Sequence, residues 1–167
     1  PQLKKRRSEE ARALDAELYA CMVATTTQLN TPGRTLSELA DAHALTDVTG
    51  FGLLGHLNEI ALGSRLAAHV RVRDIPWLPR ARELAAAGFV TGASGRNWAG
   101  YRQHVPLREV DEATRALLTD PQTSGGLLVA CAPNAVDDVL ALFRAEGFDQ
   151  AAVVGELADG IGITVEG

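Results

Sequence analysis

TDVTGFGLLGH, Thr46 to His56, joins a lone carboxylate to three glycines and then to an apolar helix. A helix start leaves several backbone N–H groups unpaired and carries partial positive charge, which suits phosphate oxygens. Asp47 would repel a bare phosphate. A divalent cation between the two resolves the conflict, because Mg²⁺ takes oxygen ligands and bridges one or two carboxylates to nucleotide phosphates. Asp47 is therefore the candidate metal ligand, and Gly50 and Gly52 are the positions where backbone amides approach a phosphate chain. A purely structural reading stays open beside it, in which the glycines only permit a tight turn and close helix packing.

Gly50, Gly52 and Gly55 also spell the GxGxxG dinucleotide fingerprint, with Asp74 near the distance of a ribose-binding acid. That fingerprint follows a buried apolar strand, whereas ALTDVT places Thr46, Asp47 and Thr49 ahead of the glycines. An acid three residues before the first glycine also disfavours an uncompensated pyrophosphate. No glycine pair precedes Lys and Ser or Thr, which excludes a Walker A loop.

On the amino-terminal side, Ser8 to about Gln28 has helical spacing, with Leu14, Leu18, Cys21 and Met22 on one face, and NTPG, Asn30 to Gly33, ends it. A short helix is expected from about Leu36 to His43, and the next from about Leu53 to Leu62, with Gly63 as its stop. Arg65 to Arg73 alternates as a strand, closed by Pro76 and Pro79. A helix follows at about Pro79 to Ala87. TGASGRNWAGY, Thr91 to Tyr101, has little periodicity and reads as a long loop.

Asp111 to Leu118 is expected to be helical, and TDPQTSGG breaks it through Pro121, Gly125 and Gly126. LLVAC, Leu127 to Cys131, reads as a buried strand, and Pro133 to about Gly147 as a helix. AAVVGEL and GITVEG, separated by ADG, read as a closing β-hairpin. Interleaved helices and strands in one domain over residues 1–167 predict an α+β fold, a mixed β-sheet flanked by helices.

Two further loops can carry chemistry. DPQTSGG offers Thr123, Ser124, Gly125 and Gly126 as a backbone nest for phosphate or as a plain helix-to-strand turn. SGRN offers Arg96 and Asn97 as donors to an oxyanion, or as solvated surface.

Composition narrows the function classes. With 16 Lys and Arg against 21 Asp and Glu, the net charge of −5 supplies no field for nucleic acid or an anionic membrane. The basic run Lys4 to Arg7 reads as the solvated lead-in to the first helix. Cys21 and Cys131 have no CxxC spacing, and His43, His56, His69 and His104 lack metal-binding spacing and read as packing or surface residues. No apolar segment approaches the roughly 20 residues of a membrane span, so a cytoplasmic protein is expected.

TDVTGFGLLGH, SGRN at Ser94 to Asn97 and DPQTSGGLL at Asp120 to Leu128, in this order and spacing, resemble the carboxyl-terminal domain of the selenophosphate synthetases (selenide, water dikinases) of the aminoimidazole ribonucleotide synthetase superfamily. The ending VVGEL and a short hairpin are similar to that family's last strands. The resemblance implies an α/β sandwich domain that closes over ATP held mainly by an amino-terminal domain. It implies an enzyme that makes selenophosphate from selenide and ATP, with AMP and phosphate as the other products. It also assigns Mg²⁺ binding to the Asp of the DVTG segment, here Asp47.

The family's amino-terminal domain, with its reactive Cys or selenocysteine, catalytic Lys, further metal-binding Asp residues and the main homodimer contacts, has no counterpart in these 167 residues. The resemblance thus implies no catalytic residue here, no nucleophilic role for Cys21 or Cys131, and a chain inactive alone whose partner is its own amino-terminal domain. An apolar face left open toward that domain would favour self-association. Two alternatives stay open: a superfamily relative with another phosphate acceptor, and a non-catalytic binding module.

Overall fold

The computed structural model describes residues 16–167. The expected helix start at Ser8 and the basic run Lys4 to Arg7 lie outside the described residues. Helical residues 16–27 form α1. In chain order there follow α2 (Pro32–Glu38), β1 (Ala42–Asp47), α3 (Gly52–Ser64), β2 (Leu66–Arg71), α4 (Ala81–Ala86), α5 (Gly92–Tyr101) and β3 (Leu107–Arg108). The chain continues through α6 (Glu112–Leu118), β4 (Leu127–Cys131), α7 (Val136–Ala145), β5 (Gly155–Asp159) and β6 (Gly162–Glu166).

The α+β architecture expected from the sequence holds, with the strands divided between two sheets. β1 and β4 form an antiparallel pair, and the second sheet is mixed, in the order β3-β6-β2-β5. Alternation in β2 and β6 turns Ala68, Val70, Ile163 and Val165 inward, where they pack against Leu54, Leu57 and Ala61 of α3, with Tyr101 and Leu118 completing the cluster. Leu36 of α2 and Val139 and Phe143 of α7 form a second cluster over Leu45, Leu127 and Val129 of the two-stranded sheet. Each sheet therefore buries one face under helices, which is how an α+β domain shields its apolar side chains from water.

Five expectations are corrected. NTPG does not merely end a helix: Pro32 stands in the first turn of α2, where a missing N–H costs nothing, and the expected Leu36–His43 helix gives way to strand β1 from Ala42. Thr91 to Tyr101 is mostly helix α5, not a loop, because tertiary bonds from Thr91, Ser94 and Asn97 hold it despite Gly92, Gly95 and Gly100. Gly63 lies inside α3, whose cap is Arg65 in the left-handed region at φ 57°.

The closing strands are not a hairpin. β2 inserts between them, pairing antiparallel with β5 and parallel with β6. Gly155 makes the insertion possible, since a Cβ there would stand 2.1 Å from the His69 carbonyl oxygen. LLVAC is a strand as expected, though half-buried along its length.

Topology also decides the GxGxxG question. A strand does precede the glycines, yet β1 pairs antiparallel with β4 while β2, after α3, belongs to the other sheet. A dinucleotide fold needs those two strands parallel in one sheet. Asp74 is engaged elsewhere, accepting from Arg71 Nε at 2.5 Å.

Candidate functional site

The three glycine-containing motifs converge. Asp47 ends β1 opposite Leu127, and the ladder continues past the strand ends, with Val48 N–H donating to Gly126 O at 2.9 Å and Gln122 N–H to Thr49 O at 2.9 Å. The DVTG and DPQTSGG segments are thus zipped side by side. At Gly125 a Cβ would lie 1.7 Å from Val48 O, so only glycine permits this approach. Asn30 Nδ2 fixes the far side by donating to Gly125 O at 2.9 Å.

Gly52 opens α3 at φ 69°, and its α-carbon rests on the Thr119–Asp120 backbone, where a Cβ would meet atoms at 2.7 to 2.9 Å. Both the left-handed backbone and the contact demand glycine. A Cβ at Gly50 would meet nothing within 4 Å, so the space there is open.

The third motif acts through α5. Asn97 Nδ2 donates to Gly50 O at 2.9 Å and to Thr119 O at 3.0 Å, tying the other two motifs together. Its amide protons are thereby spent on the protein itself. Buried Ser94 Oγ bonds Ala116 O at 2.8 Å and Thr119 Oγ1 at 2.7 Å, while Thr91 Oγ1 donates to Asp120 Oδ1 at 2.6 Å. Behind the loop, Tyr101 O–H donates to Phe51 O at 2.9 Å. Burial, opposed by Arg115 and by the Gly55 backbone, pushes the Tyr101 pKa up to about 12, so the hydroxyl stays a donor.

The scaffold leaves an exposed carboxylate and several backbone amides without protein acceptors, that of Gly125 within a buried residue. Asp47 is exposed and, among the described residues, makes no ion pair. Thr123 and Ser124 are exposed, Ser124 at φ 53°. Among the described residues the backbone N–H groups of Thr49, Gly50, Thr123, Ser124, Gly125 and Gly126 donate to no protein acceptor. Arg96 is exposed on α5, adjacent to Asn97.

Among the described residues no group of three or more His, Cys, Asp or Glu is placed to hold a metal ion. Asp47 could hold a cation only in company with ligands such as phosphate oxygens and water. The residues missed from the sequence are Asn30, Thr91 and the pair Thr49 and His56, joined at 3.3 Å. The bonds of Asn30 and Thr91 cross between distant segments and leave no mark in the spacing, whereas Thr49 and His56 meet within one motif whose glycines draw the eye first.

Exposed apolar side chains include Leu78, Phe89 and Val90, the last two directly ahead of the Thr91 cap. No helix among the described residues is long and apolar enough to cross a membrane.

Residues 9–167 match the family model of the AIR synthase related protein, C-terminal domain. The selenide, water dikinase of Paraburkholderia xenovorans is 62% identical over 150 residues, 89% of this chain and 42% of that protein. That of Dechloromonas aromatica is 55% identical over 148 residues, again 42% of its length. The chain spans about two fifths of the curated relatives it matches. Among solved structures, HypE of E. coli superposes with a TM-score of 0.59 at 20% identity, covering 82% of this chain and 35% of that one, a likeness of fold.

Proposed function

The chain belongs to the family of AIR synthase related C-terminal domains, and from that premise we propose that it is the carboxyl-terminal domain of a selenide, water dikinase. In this reading the complete enzyme makes selenophosphate from selenide and ATP, releasing AMP and phosphate. Its amino-terminal domain supplies the reactive Cys or selenocysteine, and the 167 residues alone are inactive. A homodimeric, cytoplasmic enzyme belongs to the same proposal.

The observation that carries it is the zipped pair of loops, DVTG against DPQTSGG, presenting one unpaired carboxylate beside the free backbone amides of Thr49, Gly50, Thr123, Ser124 and Gly126. A carboxylate repels phosphate while amides attract it, so the two make chemical sense together only around a cation. The donor set fits Mg²⁺, which keeps several waters and commonly takes one or two carboxylates with phosphate oxygens. When bound, the ion neutralises charge on the polyphosphate.

Asp47 holds that ion. The amides of Thr49, Gly50, Thr123, Ser124 and Gly126 would donate to phosphate oxygens, Gly125 would serve by its close packing on Val48, and Arg96 would add charge at the rim. Asn97 keeps the loops in register rather than touching phosphate, given where its protons go. The identity to named selenide, water dikinases supports selenide as the acceptor.

The test supplies ATP, Mg²⁺ and selenide to the full-length gene product and follows phosphorus NMR. A selenophosphate resonance is expected. ATP consumption without it, or only with another acceptor, would overturn the substrate assignment.

A further inference from the structure

His56 sits one turn inside α3, its side chain only 9% exposed, yet its two ring nitrogens are unequally served. Nε2 lies 3.3 Å from Thr49 Oγ1 in the DVTG loop. Nδ1 is buried without a hydrogen-bond partner, although Glu59 Oε2 stands within ion-pair distance at 3.4 Å. The Phe51 ring, tilted 47° at 5.6 Å, covers another side. A buried polar atom left unpartnered is costly, and such costs persist where the rest of the group has work.

The facing groups select a tautomer. Glu59, as a carboxylate, can only accept, so the favourable arrangement keeps the proton on Nδ1. Nε2 then bears a lone pair, and the Thr49 hydroxyl must donate to it. A hydroxyl whose proton is committed inward offers only oxygen lone pairs outward. Thr49 follows Asp47 by two residues, within the loop that presents free amides.

We propose that His56 is a positioning residue, backed by Glu59, that turns the Thr49 oxygen outward as a second oxygen donor to the cation held by Asp47. The proposal rests on the reading of Asp47 as a metal ligand. It assigns Thr49 and His56 work that packing alone would not need, since a leucine at position 56 would occupy similar volume without a buried orphan nitrogen. Partners that orient metal ligands from behind are commonly worth about 10- to 100-fold in metal affinity.

The experiment uses the full-length gene product, isotope-labelled, with two NMR readouts. Long-range ¹H–¹⁵N spectra of the His56 ring report the tautomer, expected with the proton on Nδ1. Mn²⁺ with ATP is then titrated while broadening of the Asp47 to Gly50 amides is followed in wild type, D47N, T49V, H56N and H56Q. D47N is expected to abolish the selective broadening. T49V and H56N, the latter too short to reach Thr49, are expected to raise the Mn²⁺ concentration needed by about tenfold. H56Q, whose amide oxygen reaches where Nε2 did, is expected to restore most of it.

A wild type without broadening of the Asp47 to Gly50 amides by Mn²⁺ and ATP, or broadening that does not depend on Asp47, overturns the metal reading and this inference with it. Asp47-dependent broadening that T49V and H56N leave unchanged, or that H56Q fails to restore, overturns this inference alone. So does a ring proton found on Nε2.

Discussion

The α-carbon of Gly125 and the carbonyl of Val48 meet so closely that a Cβ at position 125 would stand 1.7 Å from the oxygen. Two loops from distant parts of the chain are pressed together there with no room for a side chain. Gly125→Ala is expected to force them apart, costing about 3 kcal/mol or more, in the range of severe overpacking. Urea denaturation measures it. A loss below about 1 kcal/mol would mean the loops separate easily.

Asn97 bridges the same loops from outside. Asn97→Ala removes both bonds and leaves Gly50 O and Thr119 O to find water, with an expected loss of about 1 to 3 kcal/mol. Amide hydrogen exchange should speed up at residues 49–52 and 119–122 while the sheet β3-β6-β2-β5 keeps its protection. Uniform acceleration would instead make Asn97 an ordinary contributor to global stability.

Tyr101 gives a pH dependence whose sign follows from burial. Its pKa stands at about 12 in the fold against 10.0 for a free tyrosine. The raised value means the folded state favours the neutral phenol, so the stabilisation is complete below pH 10 and drains away between about pH 10 and 12. Tyr101→Phe is expected to lose about 1 kcal/mol at pH 7 with the bond to Phe51 O, and to show a shallower decline over that alkaline window. Parallel alkaline curves for both proteins would contradict the assignment.

Asp111 works in the opposite direction. Its carboxylate accepts from Thr114 N–H at 2.8 Å and Thr114 O–H at 2.9 Å at the start of α6, and these bonds hold its pKa below the ordinary 3.8. The stabilisation is present above that value and is lost as pH falls through the lowered one. Asp111→Ala should cost about 1 kcal/mol at pH 7, as for other helix caps, and progressively less as pH falls below 3.8. Thermal unfolding across pH checks it.

Much of this was legible in the chain itself, and the failures share a physical cause. LLGHLNEIAL shows its apolar face at helical spacing, and α3 runs where that pattern lies. Asp111 announces α6 because a cap is a local interaction. Strand β1 was hidden, because Thr46 and Asp47 are polar and only pairing with Leu127 and Leu128 makes them strand.

Helix α5 was hidden as well, since its three glycines argue against helix and its support comes from Thr119, Asp120 and Gly50. The hairpin reading failed because nothing near Gly160 reveals that β2 will insert. At the site, the order of the loops and the place of Asp47 could be read. The division of labour could not, since Asn97 looks like a free donor until the carbonyls that consume its protons are seen.

The proposed role of the Asp47 carboxylate is to grip Mg²⁺ for the nucleotide phosphates. The most direct measurement compares ATP turnover by the full-length gene product and its Asp47→Asn variant across a Mg²⁺ titration, with folding verified by unchanged thermal unfolding. Turnover at least about 100-fold lower at equal Mg²⁺ is expected, consistent with removing a charged ligand worth several kcal/mol. A variant with wild-type turnover and the same Mg²⁺ midpoint would contradict that role.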